Sequence, residues 1–528
     1  MPLAQRSHLT PPGAADRFPE ALALHQAGRL PEAESLYRAI LRREPRRAEA
    51  WHLLGVLAGQ CGNLPASLEL LDQAIELDPR PALYHENRAK ALRRLGRTEP
   101  AEAAYHAALA RAPRQVGLHL GLGTLLLADR RPEEALEPLR RATVLAPGDA
   151  SAHATYAAAL AQLGEATRAE MALRKAARLD PEQPDHWRNL GHVRRQLGKL
   201  EAAGEALERA VATAPDDAEA RYALGLHRLQ LGDLAGGWPL TLGREAAPSG
   251  AAWRRTLPQP HWQGESLAGR RLLLWGEQGI GDEVMFARLL PRALADAGSV
   301  AVECDPRLVP LYRRSFPGLA CLPRGEAEVP AEAFDLQAPL GDLAARWLTG
   351  FEAFGDGAAY LEADPSRREA LRRRLDDARP LVGLAWRSGN PANGAARTPP
   401  LEAWKPLLAR RDLRFVALQY GDIGEDLAAF RALGGEVELF DGLDLRDDLE
   451  GLAALIAALD GVVTIDNATL HVAGALGVPT LGLLPFGPNW RWFEGHGNRT
   501  PWYGSVRLLR QTSPGDWAPP LAEAARRA

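Results

Sequence analysis

The chain has 528 residues, 46% of them hydrophobic and 25% charged, with a formal net charge of −4. That length is too great for one core and suits two to four domains, and the near-neutral balance provides no global field for nucleic acid or acidic lipid. No apolar run of about 18 residues is present to span a bilayer, and the opening MPLAQRSHLTPPGAADR lacks the apolar stretch of a signal peptide, so a cytoplasmic protein is expected. Cys61, Cys304 and Cys321 are widely spaced and form no metal-ligand pattern, so no metal site is expected; Cys304 and Cys321 would either meet in space or, as is expected, stay buried free thiols.

The first half is periodic. Pro45, Pro79, Pro113, Pro147, Pro181 and Pro215 recur every 34 residues, each stopping one helix before the next unit begins. In the same register Gly28, Gly62, Gly96, Gly164, Gly198 and Gly232 mark a turn between two helices, with Arg130 the exception. Ala33, Ala101, Ala135, Ala169 and Ala203, and across from them Gly55, Gly123, Gly191 and Gly225, are small residues that let paired helices approach closely. This helix–turn–helix period, with W-x-x-L-G at Trp51–Gly55 and Trp187–Gly191, resembles the tetratricopeptide repeat (TPR) family, about seven units over residues 14–243. In such an array the first helix of each unit lines a groove. The register puts Asn87, Lys90, Arg93 and Arg94 there in the third unit and Arg188, Asn189, His192 and Arg195 in the sixth, with apolar positions between. Such a groove suits an extended segment with acidic flanks; the alternative is a set of solvated helix faces.

Residues 244–268, rich in Pro and Gly and without period, read as a linker, so the remainder is expected to fold without the repeats. Beyond it strands alternate with helices. Strand Arg271–Trp275 leads through GEQGIGD to a helix over Glu283–Leu294, then come strand Val300–Glu303, helix Leu308–Arg314 and the apolar segment Phe334–Leu340. The pattern restarts after a charged helix at Ser366–Asp377, with strands at Leu381–Trp386, Leu413–Gln419, Glu436–Phe440, Val462–Ile465 and Thr480–Leu484. Helices fall at Leu401–Ala409, Glu425–Leu433, Asp447–Leu459 and Ala468–Leu476. Two successive Rossmann-like domains, 269–365 and 366–528, would hold a ligand beyond the carboxyl ends of their strands.

Three segments have the chemistry for such a cleft. Gly276–Asp282 is neither the dinucleotide fingerprint nor a P-loop, and Asp282 stands where it would either cap the helix or take a proton from a hydroxyl. In Gly461–Gly477 a strand ends at Asp466 and a helix of small residues begins. Its free N–H groups, with Thr469 and His471, suit a diphosphate; the bland alternative is capping by Asp466 or Asn467 and packing of His471. The loop Arg387–Arg397, with Ser388 and two arginines, supplies further phosphate donors. The aromatic stretch Trp490, Arg491, Trp492, Trp502, Tyr503 would either hold a ring or pack a loop onto the sheet.

Taken together, three features resemble glycosyltransferase family 9, the heptosyltransferase family: G-x-G-D opening the first domain, the arginine-bearing loop opening the other, and D-x-x-x-x-H late in the latter. The whole chain is similar to bacterial TPR proteins that carry a family 9-like domain. The resemblance implies an α + α/β chain, a TPR helical solenoid followed by a GT-B-like pair of Rossmann-like domains. It further implies an inverting, metal-independent transferase with no cofactor beyond its nucleotide-sugar co-substrate. Asp282 matches the family's catalytic carboxylate; Asp466, Thr469 and His471 fall in its donor-binding segment, and Arg387, Ser388 and Arg397 stand near its phosphate ligands. The loop lacks the family's Lys, and D-T-[GS] is here Asp466-Asn467-Ala468, so ADP-heptose is not assigned as the donor. The expected partners are a nucleotide sugar and a protein acceptor held in the TPR groove. An O-GlcNAc-transferase-type reading meets a broken Asn ladder: Leu53, Asn87, Gly121, Thr155, Asn189, Ala223. A non-catalytic TPR scaffold with a degenerate transferase domain is the alternative from another class.

Overall fold

The computed structural model describes residues 16–325, 329–375, 378–390, 394–440, 442–487 and 489–528; the expected first residues of the array, 14 and 15, lie outside them. From Phe18 to Thr241 the chain forms seven helix–turn–helix pairs. The six turn glycines take φ between 69° and 83°, and Arg130 is forced to the same left-handed turn at 59°. Helix pairs close where a side chain is absent: a Cβ on Gly123 would lie 2.4 Å from Leu139, and one on Gly191 2.6 Å from Leu207.

Each of the first four repeat prolines also has a partner. The Pro45 carbonyl accepts from the Trp51 indole at 2.8 Å, and the carbonyls of Pro79, Pro113 and Pro147 lie 2.9, 2.9 and 3.2 Å from Nε2 of His85, His119 and His153. Histidine therefore replaces the signature tryptophan six residues after the proline.

The described residues fall into two compact units, divided at His186/Trp187. In the first unit Leu71, Leu92, Tyr105, Leu122 and Leu139 form one of the cores. Two of the expected groove quartet of the third repeat stitch repeats together. Asn87 Nδ2 lies 2.8 Å from His52 Nε2 and Arg94 donates to the Gly59 carbonyl at 2.7 Å, whereas Lys90 pairs with Glu86 of its own helix at 2.6 Å; Lys90, Arg93 and Arg94 are exposed. Successive first helices meet at an offset of one repeat plus one residue, so residues 35 apart hydrogen-bond across the joint.

The second unit holds the last two repeats and two parallel sheets. The first sheet has strands β1 (Arg271–Trp275), β2 (Ser299–Cys304), β3 (Ala320–Pro323) and β4 (Leu336–Pro339), in the order β3-β2-β1-β4. The other sheet has β5 (Leu381–Ala385), β6 (Arg414–Ala417), β7 (Val437–Glu438), β8 (Gly461–Ile465), β9 (Thr480–Leu484) and β10 (Val506–Arg510), in the order β10-β9-β8-β5-β6-β7. The central strands are apolar on both faces because helices cover both. Strand order reverses beside β1 and between β5 and β8, which places the loops after those three strands at the switch points where ligands enter.

Several expected elements change. The helix over Glu283–Leu294 is two, Ile280–Ala287 and Leu290–Asp296, broken ahead of Pro291. Phe334–Leu340 splits into β4 and the helix Leu340–Trp347, while β3 and β10 were not anticipated. Cys304 and Cys321 are buried free thiols, whereas Cys61 is exposed.

The segment 244–268 is not free chain. It carries two short 3-10 turns, buries Trp262 and Leu267, and pairs His261 with Gln337 of β4. Arg244, 4% exposed, donates to Glu277 at 2.8 Å and to Asp342 at 2.7 Å, and both carboxylates are fully buried. Leu229, Leu234 and Trp238 of the last repeat belong to the same hydrophobic core as β1, β2 and β4. The segment is aperiodic because it follows the irregular seam between that repeat and the first sheet.

Candidate functional site

The loop after β1 turns on Gly276, where a Cβ would meet Arg324 and Glu283 at 2.3 Å, and on Gln278, whose φ of 61° is unusual for a residue with a side chain. The next helix starts at Ile280 with Gly279 as its cap residue, so Asp282 lies in the first turn and its carboxylate does not cap. That carboxylate faces Arg491. Arg491 Nε donates to Oδ1 at 2.8 Å and Nη2 donates to the same oxygen, with side chains only 13% and 10% exposed. The Asp282 carboxylate beside it raises the already high pKa of Arg491 against the opposing effect of burial. Gln278 lies against the same pair, its Oε1 3.5 Å from Arg491 Nη2 and its Nε2 donating to Tyr222 Oη of the last repeat at 2.9 Å.

The second cluster rises at the end of β8. Asn467, not Asp466, caps the helix Ala468–Ala475 through the Leu470 N–H. Asp466 is buried; its Oδ1 accepts from the Trp492 indole at 3.0 Å, Arg397 lies 3.5 Å from Oδ2, and Oδ2 has no hydrogen-bond partner. Thr469 and His471 are buried on the same helix. His471 Nδ1 is 2.8 Å from Tyr503 Oη, and its ring stacks on Trp492. Burial, then the charges of Arg491 and Arg397, hold His471 well below the usual histidine range, so its ring is neutral.

The two clusters are one site. The helices Ile280–Ala287 and Ala468–Ala475 pack together, and a Cβ on Gly281 would lie 2.9 Å from His471 Cδ2. Glycine at 281 is therefore what lets the loop after β1 reach the helix after β8. Asp282, Asp466, Thr469, His471 and Arg397 meet here. Arg387 and Ser388 do not join them. Arg387 pairs with Asp426 at 3.0 Å and its backbone N–H donates to Gln419, while Ser388 closes a turn with Asn390 and Thr398. Residues 391–393 of that loop lie outside the described residues. The aromatic stretch packs: Trp490, Trp492, Trp502 and Tyr503 are buried.

Of the expected groove residues in the sixth repeat, Arg195 donates to Gln230 at 2.9 Å and burial lowers its pKa to about 10. Burial, then Arg195 and Arg188, pull His192 down to about 4. Arg188 and Asn189 are half-buried on the same helix. The loop after β9 packs against the end of this helix: a Cβ on Gly487 would lie 3.3 Å from the Arg195 carbonyl. Arg491, Gln278 and Tyr222 were not anticipated as site residues. The signal for Arg491 is an arginine between two tryptophans, in a stretch whose two expected roles, holding a ring or packing a loop, do not include pairing with Asp282.

Tetratricopeptide repeat models match residues 18–82, 86–150, 120–184 and 191–232. The glycosyltransferase family 9 (heptosyltransferase) model matches residues 441–493, a stretch that includes Asp466, His471 and Arg491 but not Asp282. Protein FlbA of Caulobacter vibrioides is 31% identical over 517 residues, covering 94% of this chain and 86% of that one. Among solved structures, YrrB, a TPR protein with an unusual peptide-binding site, is 24% identical with a TM-score of 0.32, covering 35% of this chain and 96% of its own. PilF of Pseudomonas aeruginosa is 21% identical with a TM-score of 0.35, covering 40% and 94%. Among the described residues no helix is long and apolar enough to cross a membrane.

Proposed function

We propose, on the premise that the chain belongs to the family of Caulobacter vibrioides protein FlbA, that it is an inverting, metal-independent glycosyltransferase of GT-B type. Its donor is a nucleotide sugar and its acceptor a protein hydroxyl recruited by the repeats. The observation that carries this reading is the meeting of Asp282, at the first switch point, with the helix start after Asp466 at the second. In this reading Asp282 is the base and the start of the helix Ala468–Ala475 holds the diphosphate.

In the proposed reaction Asp282 takes the proton of the acceptor hydroxyl. The acceptor oxygen bonds to the anomeric carbon as the bond to the diphosphate oxygen breaks, and the configuration inverts. Charge gathering on the departing nucleoside diphosphate is met by Arg397 and by the N–H groups at the start of the helix Ala468–Ala475. Neutral His471 donates or accepts without adding charge.

One observation favours the scaffold reading: Asp282 is closed into an ion pair with Arg491. A thermal-shift panel of nucleoside diphosphates and nucleotide sugars separates the two readings. A ligand at about 100 times its Kd adds about 2.7 kcal/mol, which is a shift of a few degrees. Stabilisation by one nucleotide class is expected; a panel with no shift would leave the scaffold.

A further inference from the structure

Within the transferase reading one residue has two claims on it. Arg491 sits between Asp282, which it holds through Nε and Nη2, and the cluster of Asp466, Arg397 and His471. Its chain neighbour Trp492 holds Asp466 through the indole. While it accepts two hydrogen bonds from the guanidinium, Oδ1 of Asp282 is occupied. An arginine fork is also suited to phosphate oxygens.

The backbone here is fixed while the side chain need not be. Phe493 is fully buried at a φ of 38°, wedged among Phe351, Phe354 and Trp502, and the Glu494 N–H donates to the Gln230 carbonyl at 2.6 Å. The anchor of Arg491 therefore stays in place if its guanidinium changes partner.

We propose that Arg491 is a ligand of the donor diphosphate that, with no donor bound, is held by Asp282; the diphosphate draws it away and thereby uncovers the base. The cation then lies where negative charge develops on the leaving group, and Asp282 is freed only when a donor is present. The proposal rests on the transferase reading and makes Asp282 and the diphosphate competitors for one guanidinium.

That competition predicts an effect a structural ion pair would not give. Kd values for UDP, GDP, ADP and CDP are measured by calorimetry on the full chain, with melting curves to confirm folding. Arg491→Gln weakens binding of the preferred diphosphate at least about tenfold, the loss of one charge-assisted contact, and Arg491→Lys lies between. Asp282→Asn tightens it by about threefold or more, because the guanidinium no longer leaves a carboxylate to reach the phosphates. In Asp282→Asn with Arg491→Gln the tightening disappears. If the wild type binds a diphosphate but Asp282→Asn leaves its Kd unchanged, or tightens it equally without Arg491, the proposal is overturned and the transferase reading stands. If no diphosphate binds the wild type, the transferase reading fails and takes the proposal with it.

Discussion

Both hydrogen bonds from Arg491 fall on Oδ1 of Asp282, and an asparagine at 282 keeps an oxygen in that place while losing the ability to take a proton. Asp282→Asn is therefore expected to fold as the wild type does and to lose transfer by about 10²–10⁴-fold in single-turnover assays. Retention of rate within a few-fold would remove Asp282 from the chemistry. The arginines of the loop after β5 divide in the same way. Arg397→Ala is expected to weaken nucleoside diphosphate binding about tenfold or more, whereas Arg387→Ala, whose partner is Asp426, should leave Kd unchanged in the same titration. At this scale Asp282, Asp466 and His471 were legible because strand, turn and helix signals flank them closely. The partner of Asp282 lies 209 residues away. Gln419 and Asp426, which turn Arg387 aside, are remote on the chain as well, and no local pattern marks them.

The helical elements follow from a period, and a period records what each position must do. Six of seven turns use glycine in the left-handed conformation and one uses Arg130. Arg130→Gly relieves a backbone cost of about 1 kcal/mol and adds less than that in unfolded-chain entropy, so a small net gain, below about 1 kcal/mol, is expected in urea unfolding. Gly123→Ala places a methyl 2.4 Å from Leu139 inside a closed helix pair and is expected to cost about 1–3 kcal/mol. A Gly123→Ala protein as stable as the wild type would show that the pair can open. Strands were legible where they are long apolar runs, as in Arg271–Trp275. The four-residue β3 is an edge strand, and β10, bracketed by arginines at 507 and 510, does not read as an apolar run.

At the scale of the whole molecule, the passage from repeats to sheets is a place where sequence and structure part. Period ends near Thr241, and aperiodic Pro/Gly-rich chain follows, which reads as freedom. Yet the last repeat supplies Leu229, Leu234 and Trp238 to the core beneath β1, and Tyr222 to the loop ahead of Asp282 through Gln278. Arg244 answers two buried carboxylates, Glu277 in that same loop and Asp342. A chain beginning at residue 244 loses the three apolar side chains, each worth about 2–5 kcal/mol when buried. It also puts Arg244 at a fraying terminus, and an orphaned buried carboxylate costs about 3–5 kcal/mol. Those losses rival or exceed the net stability of an ordinary domain, about 5–15 kcal/mol. A chain beginning at Pro184 keeps the helix Pro184–Gln196 whole and every one of these contacts. The Pro184 chain is therefore expected to melt cooperatively and to bind nucleoside diphosphate, while the residue-244 chain melts far lower or aggregates, as read by circular dichroism and size-exclusion chromatography. If the proposed acceptor is a protein held by the earlier repeats, the Pro184 chain also loses transfer to that protein. Equal melting of the two truncated chains would mean that the seam is ornamental and that the sheets fold alone.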